Sequence, residues 1–215
     1  VRLAEDLYVN VFTPLMALFF AGMLVAEDIE MRTMTYILTR PASRSAWVFG
    51  RFLAFMTVAS LILICSCALT FAASTLHADL SLTRTTDLTL LIHYFGVIVL
   101  ALLAYGAFSV FLGAFTKRPI VYGVILLYGW QYVATLVPGL VDFFTIKKYT
   151  DALLPLMATQ RNVTEIHTAL GTFTREVFLV SAGKAVVALL LITAVSLGAT
   201  IIAVLLPSSL ITEET

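Results

Sequence analysis

Residues Ala185 to Leu206 read AVVALLLITAVSLGATIIAVLL, a run without a single Asp, Glu, Lys or Arg. As an α-helix rising about 1.5 Å per residue, a segment of this length covers the roughly 30 Å hydrocarbon core of a bilayer. A spanning β-strand would be about 10 residues long and would alternate apolar with polar side chains. Neither this run nor Ser60 to Ala73 alternates in that way. Hydrocarbon offers the backbone no hydrogen-bonding partner, so a helix that satisfies its own N–H and C=O groups is the reading that remains.

Working outward, the same absence of charge recurs in Leu7 to Ala26, Phe52 to Ala78, Leu88 to Thr116, Pro119 to Val141 and Ala185 to Thr212. These windows predict an all-α integral membrane protein with five transmembrane helices, at about 7–26, 52–76, 89–115, 120–141 and 181–206, in one transmembrane domain over residues 1–215. The composition agrees: 60% of residues are apolar and 12% charged, against about 25% charged in soluble domains. Thirteen basic and thirteen acidic residues cancel, which removes the electrostatic footprint of a nucleic-acid binder. Two cysteines are too few for a disulfide scaffold.

Arg and Lys set the expected orientation. Arg32, Arg40, Arg44 and Arg51 cluster in one connection and Lys117 with Arg118 in another, whereas the loop His77 to Asp87 holds Arg84 alone. Short cytoplasmic connections collect basic residues, so the first two are read as inside. The longer Asp142 to Val180 connection carries Lys147, Lys148, Arg161 and Arg175, but long loops follow the charge rule less strictly. The C-terminus is then cytoplasmic and the first residue outside. An odd number of spans starting outside leads to the expectation of a sixth, N-terminal helix ahead of Val1.

The cytoplasmic segment 27–45 is too polar to span and too apolar for a solvated linker. Met31, Met34, Ile37 and Leu38 fall at helical spacing, with Glu27, Asp28, Glu30, Thr33 and Thr35 opposite them. Asp28 and Arg32 stand at i and i+4 with the acid first, the orientation that supports a helix. Pro41 stops it, because the residue before proline is pushed out of the α region. The residues thus describe a short amphipathic helix along the inner membrane surface. An interfacial anchor would have the same composition.

The run AEDIEMRTMTYILTRPASR, Ala26 to Arg44, closed by Gly50-Arg51, resembles the signature loop of type-2 ATP-binding-cassette (ABC) permeases. That loop carries an acidic stretch, a Gly-basic-Thr step, a Leu-rich turn and a Pro-x-Ser-Arg segment before a Gly-Lys or Gly-Arg pair. Met31 stands where Gly is usual. The resemblance implies a permease subunit that forms the translocation path and couples to a separate ATPase through residues 27–44. The implied contact residues are Glu27, Asp28, Glu30, Arg32, Thr33, Thr35, Arg40, Pro41, Ser43 and Arg44. The chain has no Gly-x-x-x-x-Gly-Lys-Ser/Thr phosphate loop, so ATP and magnesium are expected on the partner ATPase and no cofactor on this chain. A second permease copy or a related permease, and membrane lipids, are the other expected partners, in a cell (plasma or inner) membrane.

In the extracytoplasmic segment 142–180, Val163, Ile166, Leu170, Phe173 and Val177 recur at intervals of three and four. This predicts an outer amphipathic helix, and the resemblance implies that such elements shape an exit gate or lateral opening. Tyr94, Tyr105, Tyr122 and Tyr128 are candidates for a substrate path, although aromatic residues near interfaces also serve as belts. Cys65 and Cys67 point about 200° apart on a helix, and His77, His93 and His167 lack metal-ligand spacing. No ionisable group falls mid-span, against a carboxylate relay. An intramembrane lipid-modifying enzyme, drawing on His77, Asp79 and Asp87, and a passive anchor or assembly subunit are the alternatives. Co-purification with an ATPase separates them.

Overall fold

The structure, a computed structural model, describes residues 5–24, 26, 44–75, 85–116, 118–136, 145–154, 163–168, 171–176 and 180–205. Helix α1 runs Leu7–Leu24, α2 Arg44–Thr75, α3 Thr85–Phe115, and α4 covers residues 119–136 as the consecutive stretches Pro119–Val124, Ile125–Trp130 and Gln131–Leu136. A short α5 spans Ile146–Leu153, and α6 spans Ala182–Leu205. Among the described residues, four helices, α1, α2, α3 and α6, are long and apolar enough to cross a membrane. The helical architecture expected from the charge-free windows is present. The fifth window, 120–141, corresponds to α4, whose apolar section Pro119–Trp130 is shorter than the other four. Residues 27–43 of the segment expected on the cytoplasmic side, and residues 206–215, lie outside the described residues.

Helix α3 is the centre of the bundle. It packs against α1, α2, α4, α5 and α6, most extensively against α6. A helix covered on all sides has no need of a polar face, and α3 is apolar nearly all round, with Val97, Ile98, Ala101, Leu102, Ala104 and Ala107 buried. Lipid tails are as apolar as leucine, so close van der Waals fit between small residues holds such helices together. At Gly113 the fit is backbone against backbone, because a β-carbon there would run into the carbonyl oxygen of Gly22 on α1.

Pro14 lies inside α1 and has no N–H to offer, so a regular hydrogen-bond ladder cannot run through it. The helix takes wider π geometry on either side, over Glu5–Phe12 and Ala17–Ala21, and the Thr13 hydroxyl donates to the Tyr8 carbonyl at 2.7 Å. The Tyr8 hydroxyl reaches across to α2, 2.8 Å from Ser66 Oγ and 2.6 Å from Thr70 Oγ1.

Two expectations are corrected. Helix α2 begins at Arg44 rather than near Phe52, which brings Arg51 about two turns into the helix. The outer amphipathic helix is instead a hairpin: β1, Val163–Thr168, pairs antiparallel with β2, Gly171–Glu176, in the register Val163↔Glu176 to Thr168↔Gly171. The three-and-four spacing of apolar residues is real, but Val163, Thr164, Ile166, Thr168, Thr172, Phe173 and Thr174 are β-branched or aromatic. Such residues favour strands, and Gly171 is a poor helix interior.

Candidate functional site

Two regions combine polar chemistry with an opening in the bundle. The first is the junction from which residues 25–43 depart. Arg51 of α2 reaches across to α1: its Nη1 donates to the Leu24 carbonyl at 3.0 Å. The guanidinium also stacks over Trp47, 5.2 Å from the ring centroid, a cation–π contact. The helices on either side of the 27–43 segment are thereby tied to one another, close to the Gly22–Gly113 crossing. Of the residues implied in ATPase contact, Glu27, Asp28, Glu30, Arg32, Thr33, Thr35, Arg40, Pro41 and Ser43 lie outside the described residues. Arg44 is the first residue of α2.

The second region is a cavity of about 690 Å³ between α4 and α6, backed by Phe108 and Phe111 of α3. Leu127, Trp130, Ile192 and Ala199 form much of its wall, and Gln131, Thr145 and Ser196 add its polar groups. Gln131 donates to the Tyr105 hydroxyl at 3.1 Å. Helix α5 covers this end, with Ile146, Thr150 and Leu154 buried one turn apart. His93 on α3 donates from Nε2 to the Leu153 carbonyl at 2.9 Å, fixing the far end of α5.

The four candidate path tyrosines are not gathered around this cavity. Tyr94 and Tyr105 are buried three turns apart on α3, Tyr128 donates to the Val11 carbonyl at 3.0 Å, and Tyr122 is exposed. Two of them therefore join helices: Tyr105 ties α3 to α4, and Tyr128 ties α4 to α1. Cys65 is exposed and Cys67 buried, neither in a disulfide. Lys184, near the start of α6, is exposed. Among the described residues, no three His, Cys, Asp or Glu side chains are grouped to hold a metal ion.

Sequence reasoning missed the partners of Arg51 and the Tyr8–Ser66–Thr70 cluster. The available signal was a hydroxyl or amide at mid-span, where a polar group needs a partner.

A family model described as ABC-2 family transporter protein matches residues 3–208. No curated protein and no solved structure matches the chain.

Proposed function

Because the chain belongs to the ABC-2 transporter family, a family of multi-pass membrane transport proteins, we propose that it is the permease subunit of an ABC transporter. In this reading it forms the translocation path with a second permease, and residues 27–44 dock on a separate ATPase that holds ATP and magnesium. The Arg51–Leu24 link carries the mechanical part of the reading. A push delivered to the segment between Leu24 and Arg44 would reach α1 and α2 as one body, since Arg51 bonds the two helices to each other and α1 lies against α3 at Gly113. Glu30 and Arg44 supply the charge contacts at the rim of the ATPase, Pro41 keeps the segment from continuing as helix into α2, and the C-terminus faces the same, cytoplasmic side.

The test is co-expression with the ATPase and recovery of the complex. Glu30→Ala and Arg44→Ala should each weaken ATPase retention by about tenfold, the factor corresponding to the lower part of the 1–3 kcal/mol range for a buried charge contact losing its partner. Arg51→Met should leave retention intact and reduce the dependence of ATP turnover on the permease. Full retention in the Glu30→Ala, Arg44→Ala double variant would refute the docking assignment. Unchanged coupling in Arg51→Met would refute the mechanical one.

A further inference from the structure

The cavity between α4 and α6 opens sideways. Its lips, Leu126, Trp130, Leu191 and Val195, are between 41% and 61% exposed, and in a membrane-spanning bundle that exposure is to hydrocarbon. A carbon-lined space left empty forfeits dispersion contacts on every wall. Water is a poor filler, because a buried water needs two to four polar partners. The wall offers Gln131, Thr145 and Ser196, and Gln131 already donates to Tyr105. What fills the space is therefore a hydrocarbon chain.

The polar groups are not spread evenly. Gln131 and Thr145 belong to the end covered by α5, whereas Phe108, Phe111 and Ala199 line the remainder, with the hydroxyl of Ser196. Ile146, itself part of the lining, is followed in α5 by Lys147. Lys147 is half-buried. An apolar trough with Lys147 next to its lining residue Ile146 matches an amphiphile with one long chain in the trough and an anionic head at α5. We propose that this groove holds an acyl chain of an anionic bilayer phospholipid, its phosphate beside Lys147. The assignment stands on the groove and its mouth, and does not depend on the ATPase-coupling reading.

The experiment uses the full chain in phosphatidylcholine nanodiscs, doped in parallel with phosphatidylglycerol or phosphatidylcholine carrying a diazirine midway along one acyl chain. After photolysis, adducts are mapped by peptide mass spectrometry. Leu61 and Leu69 of α2, 64% and 71% exposed, report contact with ordinary surrounding lipid. Ile192, half-buried and set into the groove, should carry more adduct than either. Ala199→Phe, which fills the trough, should bring the Ile192 adduct down to or below the Leu61 level while leaving Leu61 and Leu69 unchanged. In the wild type, phosphatidylglycerol should label Ile192 about fivefold more than phosphatidylcholine, the factor that about 1 kcal/mol per basic residue gives for an anionic lipid surface. Lys147→Gln should abolish that preference without reducing phosphatidylcholine labelling. Ile192 labelling no greater than that of Leu61, or unaffected by Ala199→Phe, would overturn the chain site. A preference untouched by Lys147→Gln would overturn the headgroup assignment.

Discussion

Replacing Gly113 by Ala adds one carbon, and the structure says where it goes. The new β-carbon would overlap the Gly22 carbonyl oxygen and lie 3.3 Å from the carbonyl carbon. The obstacle is backbone, so no side chain can rotate out of the way and α1 must shift off α3. Overpacking of this kind costs about 1–3 kcal/mol. Removing glycine from a helix interior returns up to about 1 kcal/mol, so the net loss is about 1–2 kcal/mol. For a chain of this size that is on the order of 3–6 °C in thermal midpoint. Gly96, on the same helix, supplies the control, since a β-carbon there meets nothing within 4 Å and Gly96→Ala should be neutral or stabilising. Both variants and the wild type would be heated in mild detergent and the remaining monodisperse protein measured by fluorescence-detected gel filtration. A Gly113→Ala midpoint equal to or above that of Gly96→Ala would refute a backbone-to-backbone crossing at this point.

Two further outcomes follow from bonds between helices. Tyr8→Phe and Thr70→Val should each destabilise the bundle by about 0.6 kcal/mol, with an upper bound near 1.7. A double-mutant cycle by denaturant titration should return a coupling of that size, because the 2.6 Å contact is shared. Gln131→Leu and Tyr105→Phe, both losing the 3.1 Å bond, should cost about 1 kcal/mol each and be markedly non-additive when combined. The same titration checks it.

The spans were legible because each long run without charge is a physical requirement of the bilayer, and α3 and α6 are visible in the letters alone. The start of α2 was not. A charge-free criterion stops at Arg51, yet an arginine is tolerated inside a helix when a neighbouring helix presents a carbonyl to it, as Leu24 does. The hairpin was misread because apolar periodicity and β-branched content pointed in different directions over 163–177, and the local propensity of Thr- and Val-rich segments prevailed. Tyr94, Tyr105, Tyr122 and Tyr128 look equivalent in sequence, but only the packing distinguishes a buried hydrogen-bonding tyrosine from a lipid-facing one. The cavity was invisible for the same reason: its walls come from three helices and from residues as ordinary as Leu127 and Ala199.

The central place of α3 bears on how the protein is made. Its most extensive neighbour, α6, is the last of the described helices in chain order, so during synthesis α3 enters the membrane well before its main packing surface exists. Through that interval the side of α3 that will meet α6 rests against lipid. Small apolar side chains can do so without penalty, since no polar group is left stranded. The bundle closes only when Ala185, Leu189 and Leu197 arrive. A nascent chain halted before Ala182 would be fully inserted yet lack its keystone helix, the form that membrane quality-control proteases are built to remove.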